Sequence, residues 1–282
     1  MKKDLIEPKV SFIVTSYNYE EFIEQTLNSI KNQTYKNFEI IVVDDFSSDN
    51  SVEIIENFIN KNQNIDIKLI KHDKNLGQLK SILTGLKNAN GEFVSFIDSD
   101  DIIFENYAKT LLNTHKKVNV GFISCKHKYV NIKEKQFIQN ISNKPFGGWF
   151  WDPMTSAMFK KNSVKIILNY NTPEDWRICP DKFIFNLVNL LDGSAILNKE
   201  LIFKREHETN AGKNNRTKIN FENNKKIRRL TLNFIKENKQ KLFEKYGKFN
   251  VQKFIIKIYF SYFYIFIQVL QYVTKKLHVK KP

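Results

Sequence analysis

The stretch Glu92-Phe93-Val94-Ser95-Phe96-Ile97-Asp98-Ser99-Asp100-Asp101 decides how the rest of the chain is interpreted. Its apolar β-formers predict a buried strand that ends in three carboxylates. Three acids within four positions repel one another, so folding alone gives no reason to place them together. A solvated loop is the structural alternative. The functional alternative is a site for a divalent cation, Mg2+ or Mn2+, which takes oxygen ligands and is commonly shared with substrate phosphates.

The residues before this stretch alternate between predicted strands and predicted amphipathic helices. Strands are predicted at 10–14, 38–43, 67–70 and 92–97, and helices at 20–32, 51–60 and 78–87. Strands and helices that alternate at this interval predict right-handed β-α-β units and a mostly parallel sheet flanked by helices. Further along, a strand is predicted at 120–124 and helices are predicted from Asp181 and over 227–243.

Ligands of an open α/β sheet bind beyond the carboxyl ends of its strands. The polar side chains of three predicted strand ends therefore share one edge of the sheet: Thr15 and Tyr17, Asp44 and Asp45, and Asp98, Asp100 and Asp101. The first strand is followed by neither Gly-x-Gly-x-x-Gly nor a Gly-rich loop with Lys, which argues against a dinucleotide or a P-loop triphosphate as the ligand.

The charge of the chain is unevenly distributed. The 282 residues are 41% hydrophobic, as in a globular protein, and carry a formal charge of +15. Residues 1–200 hold 25 basic and 25 acidic side chains, whereas residues 201–282 hold 20 and 5. A neutral body with a basic extension predicts a polyanionic neighbour, either phospholipid or nucleic acid. The two cysteines form no disulfide framework and no apolar leader precedes Pro8, so a reducing, cytoplasmic location is expected.

Four motifs in this order resemble family 2 glycosyltransferases: Val10 to Asn18, Val43 to Ser47, the Asn75-x-Gly77 turn, and Asp98 to Asp101. The resemblance covers about residues 8–210. It implies the GT-A fold, a Rossmann-like sheet of nucleotide-diphospho-sugar transferases, and a metal-dependent, inverting reaction with a nucleotide-sugar donor. The Thr-Ser-Tyr-Asn form of the first motif is similar to the spore-coat polysaccharide branch of the family, which implies a UDP-sugar.

The resemblance also implies which residues bind the nucleotide. Tyr17 would lie near the base, and Asp45 would accept a hydrogen bond from the uracil N3–H, with its neighbour Asp44 as the alternative. A turn or helix cap before Ser51 is the structural alternative for such acids. The implied nucleotide-binding set is Thr15, Tyr17, Asn18, Asp44, Asp45 and Asp98.

In the acidic motif, Asp100 matches the metal ligand of the family, with Asp98 near the ribose or the metal and Asp101 in a supporting position. Asp181 opens a predicted helix, which makes it a capping or first-turn acid. The resemblance implies that it is the general base. Asp175 is the alternative, because many members carry Glu-Asp directly at the helix start, whereas here Glu174-Asp175 lies upstream and Pro180 precedes Asp181.

Aromatic and cationic residues complete the predicted site. Trp149 or Trp151 would frame the acceptor sugar, although plain core packing explains them equally well. Arg205 and His207 are similar to the Arg-x-His element of the family, which holds the diphosphate or the metal. For an isolated histidine, a structural or solvent-exposed role is the usual alternative.

The sequence predicts a GT-A domain over residues 1–212, with a nucleotide-binding half at 1–101 and an acceptor half at 102–212. A basic, amphipathic, helical extension follows at 213–282. Residues 254–273 are mostly apolar, but Lys257 and a narrow polar stripe favour a helix that lies on an anionic membrane over one that spans it. Packing on the protein's own core or on a partner helix is the alternative.

The predicted function is transfer of a sugar from a UDP-sugar to a glycan or lipid-linked acceptor in bacterial surface polysaccharide or lipooligosaccharide synthesis. The enzyme would act in the cytoplasm, peripherally on the inner face of the cytoplasmic membrane, with residues 250–282 on the lipid. A nucleotidyltransferase is one alternative, but the first loop lacks its Gly-rich, cationic pattern. A nonenzymatic membrane or nucleic-acid binding module is another, but acids at the strand ends would repel a polyanion, so no nucleic acid partner is expected.

Overall fold

The N-terminal part of the chain forms the predicted succession of strands and helices. The structure, a computed structural model, describes residues 7–129, 153–169, 180–205, 216–248, 251–252 and 255. The first seven elements are β1 (Val10–Ser16), α1 (Ile23–Lys31), β2 (Phe38–Asp44), α2 (Ser51–Lys61), β3 (Ile67–Lys71), α3 (Gln78–Asn88) and β4 (Phe93–Asp98).

The first helix begins three residues later than the sequence predicts, whereas β4 begins one residue later, at Phe93. Residues 20–22 form a turn, and α1 starts at Ile23. The Glu20 carboxylate accepts hydrogen bonds from the backbone N–H and the side chain of Asn50. Glu20 therefore ties this turn to the loop before α2 and does not act as a first-turn acid of the helix.

The remaining elements complete the sheet and add helices. They are β5 (Ile102–Ile103), α4 (Tyr107–His115), β6 (Phe122–Tyr129), β7 (Ala157–Lys160), α5 (Lys161–Val164), α6 (Asp181–Asp192), β8 (Ser194–Lys204), α7 (Arg216–Glu237) and α8 (Lys239–Tyr246). The predicted helix over 227–243 is thus two helices that meet at Asn238.

One eight-stranded sheet has the order β3-β2-β1-β4-β7-β6-β8-β5. The β3-β2-β1-β4 half is parallel, whereas β7 runs antiparallel to both β4 and β6. The predicted α/β sheet with flanking helices is confirmed, with its parallel pairing concentrated in the first half. Both faces of that half are covered, so every residue of β2 is buried, as expected for parallel strands that carry near-continuous apolar runs.

Close packing of α3 against β1 depends on a glycine. A Cβ atom at Gly85 would overlap the Ile13 side chain, so a larger residue there would push the helix off the sheet. The same helix begins directly after Gly77, whose φ of 89° lies in the left-handed region that favours glycine. Helix α3 is thereby fixed close to the carboxyl ends of β1 and β2.

The chain divides into two compact units, Met1–Lys213 and Asn214–Pro282. The sheet and its helices belong to the first. The second contains α7 and α8, with buried apolar side chains at Leu230, Phe234 and Leu242. Among the described residues, no helix is long and apolar enough to cross a membrane. The apolar stretch 254–273 lies outside the described residues apart from position 255.

Candidate active site

Strand register brings the predicted strand ends together. In the parallel pairing of β1 with its neighbours, Thr15 lies beside Asp98 of β4, and Ser16 lies beside Asp44 of β2. The Ser99 hydroxyl donates to the Thr15 carbonyl at 2.7 Å, which fixes the chain just after β4 to the end of β1. The three polar strand ends are therefore adjacent at one edge of the sheet, as the sequence predicts.

The acids after β2 are buried and hydrogen-bonded. Asp44 Oδ2 accepts from the backbone N–H of Ser47 at 2.9 Å, and Asp44 Oδ1 accepts from the Ser47 hydroxyl. Asp45 Oδ1 accepts from His72 Nδ1 and the Leu76 N–H, both at 2.8 Å, and its Oδ2 accepts from the Gly77 N–H at 2.6 Å. Asp45 thereby fixes the loop between β3 and α3 to the end of β2.

The turn after β1 is joined to the turn after β2. The Asn18 N–H donates to Ser47 Oγ at 2.9 Å, and Asn18 Oδ1 accepts from the Ser48 N–H at 2.8 Å. Asn18 is one of two non-glycine residues with positive φ among the described residues. Tyr17, directly before it, remains 44% exposed. The turn thus presents the Tyr17 ring to solvent at the edge where the strand ends meet.

The acids after β4 form a compact cluster. One ligand oxygen each from Asp98, Asp100 and Asp101 can be chosen so that all three lie within 4.8 Å of one another. The Thr26 hydroxyl of α1 donates to the carbonyls of Ser99 and Asp101, at 2.7 and 2.9 Å. The backbone around the carboxylates is therefore held in place by α1 while the carboxylates themselves converge.

Two side chains from other elements contact Asp98. Gln78, the first residue of α3, donates from Nε2 to Asp98 Oδ1 at 3.1 Å. The Asp98 N–H donates to Thr155 Oγ1 at 3.0 Å, and the Thr155 carbonyl accepts from the buried Tyr107 hydroxyl. These contacts orient Asp98, but they neutralise none of its charge.

The cluster is electrostatically strained. Burial, followed by the charges of Asp101, Asp100 and Asp181, raises the pKa of Asp98 well above its usual value. Burial and Asp100 raise the pKa of Asp101 to about 6. Both Asp101 oxygens are buried without a hydrogen bond of normal geometry to the described residues, although Lys204 and the nearby Thr155 hydroxyl act to lower this pKa.

Asp181 belongs to this group of charges. It is the first residue of α6, and its charge raises the pKa of both Asp98 and Lys204. The helix start predicted from the sequence is therefore observed, and it lies at the same edge of the sheet as the acids of β4. Asp175, the alternative base, lies outside the described residues.

Two cations lie at the end of the last strand, Lys204 as its final residue and Arg205 directly after it, and the sequence identified only Arg205. Pairing of Ile102 with Phe203 and of Ile103 with Ile202 puts Lys204 beside Asp101. Burial alone would lower the pKa of Lys204, but four carboxylates raise it on balance: Asp101, Asp98, Asp100 and Asp181. The Arg205 guanidinium lies 5.1 Å from the centre of the Phe22 ring, and its pKa is lowered by burial against the opposing charges of Asp100 and Asp101.

The donor set suits a hard divalent cation. Carboxylate oxygens are the ligands that Mg2+ and Mn2+ take, and the buried Asp101 carboxylate has no hydrogen bond of normal geometry in the described part of the chain. Burial and neighbouring carboxylates raise the pKa values of Asp98 and Asp101, and a bound cation would offset the repulsion between the carboxylates. The residues present therefore fit the predicted metal.

Several site residues carry no motif that sequence analysis could use. His72, Thr155, Gln78 and Lys204 are isolated in the sequence and meet the acids only through the fold. The position of Lys204 one residue before Arg205 was the only available signal. The predicted residues Trp149, Trp151 and His207 lie outside the described residues.

The family description "Glycosyl transferase family 2" matches residues 11–180. The chain belongs to this family, as the resemblance of its motifs indicated, and its fold is of the GT-A type.

The particular relatives show how far this likeness extends. The UDP-Glc:alpha-D-GlcNAc-diphosphoundecaprenol beta-1,3-glucosyltransferase WfgD of Escherichia coli is 35% identical over 122 residues, which are 43% of this chain and 47% of WfgD. Glycosyltransferase GlyA of Streptococcus pneumoniae is 41% identical over 114 residues, which are 40% of this chain and 16% of GlyA. The chain thus spans less than half the length of these curated relatives.

A solved structure shares the fold over most of the chain. S. aureus TarS in complex with UDP-GlcNAc superimposes with a TM-score of 0.64 and 24% identity, covering 80% of this chain and 66% of that one. At this identity the likeness concerns the fold.

Proposed function

We propose that this protein transfers a sugar from a UDP-sugar to a lipid-linked glycan acceptor, with a divalent cation and with inversion at the anomeric carbon. The observation that carries the proposal is the convergence of Asp98, Asp100 and Asp101 within 4.8 Å, with Lys204 beside Asp101 and with the charge of Asp181 acting on Asp98 and Lys204. A carboxylate base, carboxylate metal ligands and cations for a leaving diphosphate are the groups that such a reaction requires.

The nucleotide would lie across the ends of β1 and β2. Thr15 and Asn18 line this region, and the exposed Tyr17 ring lies near the base. An ionised carboxylate has about four acceptor positions, and described groups use two on Asp45 Oδ1 and one on Oδ2. The remaining position on Oδ2 can accept from the uracil N3–H. Asp44 stays the alternative, although Ser47 already bonds both of its oxygens.

The divalent cation would be held by Asp100 and Asp98, with Asp101 behind them. When bound, it offsets the negative charge that develops on the leaving nucleoside diphosphate. Lys204 and Arg205 would act on the same charge from the end of β8, where Arg contributes planar, bidentate donors. His207 is a further predicted ligand of the diphosphate or the metal.

Asp181 would act as the general base. It takes the proton of the acceptor hydroxyl while that oxygen forms a bond to the anomeric carbon and the bond from this carbon to the diphosphate oxygen breaks. A single in-line displacement inverts the anomeric centre. Trp149 or Trp151 would frame the acceptor, as predicted for their flat apolar rings.

A UDP-sugar and a lipid-linked acceptor are favoured by the similar proteins. TarS binds UDP-GlcNAc, and the WfgD name specifies UDP-Glc and a diphosphoundecaprenol acceptor. The basic excess of residues 201–282 supports a peripheral position on an anionic membrane, with residues 250–282 in contact with the lipid.

Release of UDP in the presence of an acceptor tests the proposal. Purified protein is incubated with a panel of UDP-sugars, with GDP-mannose as a comparison, and with a short-chain polyprenyl-diphosphate glycan, in Mn2+ or in EDTA. We expect acceptor-stimulated UDP release that requires the metal.

Asp181→Asn should lower the rate by about 10²- to 10⁴-fold while UDP affinity stays within twofold of the wild type. Asp192→Asn, at the exposed other end of α6, is the matched control and should leave the rate unchanged. Full activity of Asp181→Asn would remove the assigned base, and a metal-independent release that no acceptor stimulates would contradict the proposed reaction.

A further inference from the structure

Phe46 occupies the variable position of the Val-Asp-Asp-x-Ser motif and is unusual in two respects. Its side chain is 56% exposed, and its φ is +70°, in the left-handed region that is unfavourable for residues other than glycine. Among the described residues, Phe46 and Tyr17 are the large hydrophobic side chains that remain exposed. With more than half of its side chain exposed, Phe46 is not part of the core, and its backbone conformation is unfavourable.

Hydrogen bonds on both sides of Phe46 hold this conformation. The Asp45 N–H donates to the Ser16 carbonyl at 2.8 Å, and the Ser47 N–H donates to Asp44 Oδ2 at 2.9 Å. The Asn18 N–H then donates to Ser47 Oγ. Because the flanking residues of Phe46 are bonded to those of Tyr17, the two exposed rings belong to neighbouring turns at the same edge of the sheet. Strained backbone positions fixed in this way are typical of functional sites.

The distance from the acidic cluster indicates which part of a ligand Phe46 would meet. In the strand order, β1 separates β2 from β4. Two inter-strand spacings place the end of β2 roughly 10 Å from the end of β4. A diphosphate at Asp98 and Asp100 would therefore leave the ribose to cross the end of β1 and the base to reach the end of β2.

We propose that Phe46 forms the apolar surface on which the nucleobase of the donor stacks, next to Tyr17, and that it thereby helps to set affinity for the nucleotide. This inference rests on the proposed function. A planar base has an apolar face and a polar edge, which match the exposed ring of Phe46 and the acids that precede it. No ring contact joins Phe46 to another aromatic residue in the described part of the chain, and more than half of its side chain is exposed to a ligand.

Substitutions at Phe46 separate a binding role from a structural one. Phe46→Gly removes the ring and relieves the positive φ, so the melting temperature of the free protein should stay the same or rise. The dissociation constant for UDP in Mn2+, measured by calorimetry, should rise roughly 5- to 100-fold. Affinity for Mn2+ and inorganic pyrophosphate, which has no base, should stay within twofold of the wild type.

Two more variants isolate the aromatic ring. Phe46→Leu keeps an apolar side chain and the backbone strain but lacks a ring, and it should weaken UDP binding. Phe46→Tyr keeps the ring and should bind UDP within about threefold of the wild type. UDP binding by Phe46→Gly or Phe46→Leu that equals the wild type would overturn the inference.

The same measurements distinguish this inference from the proposed function. If the wild type binds neither UDP nor pyrophosphate with Mn2+, the proposed function fails. If the wild type binds UDP and Phe46→Gly binds it equally well, the stacking role alone fails. If light scattering then shows a wild-type dimer and a monomeric Phe46→Gly variant, the exposed ring is a contact between two copies of the chain.

Discussion

Two pairs of adjacent aspartates lie at the same edge of one sheet, in opposite surroundings. Asp44 and Asp45 follow β2 and accept hydrogen bonds from backbone N–H groups and from His72. Asp100 and Asp101 follow β4, and Asp101 is 1% exposed without a hydrogen bond of normal geometry to any described residue. The first pair organises the turn after β2 and the loop between β3 and α3, whereas the second concentrates negative charge.

The difference separates a structural carboxylate from one that is prepared for a ligand. A buried carboxylate that accepts several hydrogen bonds stabilises the fold, because each bond to a charged group contributes about 1.5–3 kcal/mol. The charged form of Asp101 is disfavoured by burial and by Asp100 more than Lys204 favours it, so a bound cation should stabilise the fold. Substitution of each pair should therefore act on different properties of the protein.

The largest effect is expected at Asp100. Asp100→Asn removes a proposed metal ligand, so the rate of sugar transfer should fall by about 10³-fold, since a bound metal ion supplies several kcal/mol of transition-state stabilisation. The melting temperature without metal should change less than in Asp45→Asn, because the charge of Asp100 is repelled by Asp98 and Asp101 but attracted by Lys204 and Arg205. Initial-rate kinetics and thermal unfolding in EDTA measure the two properties. Asp73→Asn, in the exposed loop before α3, is the matched control and should change neither. Activity of Asp100→Asn near that of the wild type would contradict the assignment of Asp100 as a metal ligand and with it the difference between the two acid pairs.

The next effect is a loss of stability at Asp45. Asp45→Asn replaces one acceptor oxygen by a donor that faces N–H groups, so the free energy of unfolding should fall by about 2–3 kcal/mol. Urea denaturation measures this change, again with Asp73→Asn as the control. Unchanged stability would mean that the hydrogen bonds of Asp45 do not hold the loop between β3 and α3.

Asp101→Asn should raise the free energy of unfolding, whereas Asp45→Asn should lower it. Because burial and Asp100 raise the pKa of Asp101, its charged form is unfavourable in the folded protein. Asp101→Asn should therefore raise the free energy of unfolding at pH 7.5 in EDTA by about 1–2 kcal/mol. Saturating Mn2+ should reverse the order of the two proteins. A loss of stability in EDTA would instead mean that Asp101 is held mainly by attraction to Lys204.

The smallest and most specific expected effect is the pH dependence of the difference in the free energy of unfolding between Asp101→Asn and the wild type. The folded pKa of Asp101, about 6, lies above the unfolded value of 3.8. Its titration therefore stabilises the fold below pH 3.8, and this contribution is lost as pH rises through 6. The advantage of Asp101→Asn over the wild type should be full above pH 7 and vanish near pH 4.

Subtracting the wild-type stability from that of Asp101→Asn at each pH also removes the titration of His115, which both proteins share. Burial lowers the pKa of His115 to about 4, so both proteins lose stability as pH falls from 6.5 towards 4. An advantage of Asp101→Asn that does not change with pH would show that charge repulsion is not its cause.

The sequence predicted where the site residues lie better than it predicted their hydrogen bonds and electrostatic surroundings. Alternating strands and helices were sufficient to place Thr15, Asp44 and Asp98 at one edge, because parallel strands end together. The helix start at Asp181 followed from its apolar spacing. Both are consequences of local patterns.

The hydrogen bonds and neighbouring charges of each acid depend on contacts between residues that are distant in the sequence, which no local pattern predicts. Two identical Asp-Asp dipeptides differ because the loop before Gly77 reaches Asp45, whereas nothing equivalent in the described chain reaches Asp101. Lys204 becomes part of the site only through the pairing of β5 with β8. The left-handed backbone of Phe46 is likewise set by bonds from a distant turn.

Manganese binding tests the role of the second acid pair most directly. In a titration of free Mn2+ followed by electron paramagnetic resonance, the wild type should bind one ion, and UDP should tighten that binding at least tenfold. Asp100→Asn should lose the bound ion, while Asp45→Asn, measured below its unfolding temperature, should retain it. Equal Mn2+ binding by the wild type and Asp100→Asn, or UDP binding that EDTA leaves unchanged, would contradict a metal-bound diphosphate at the end of β4.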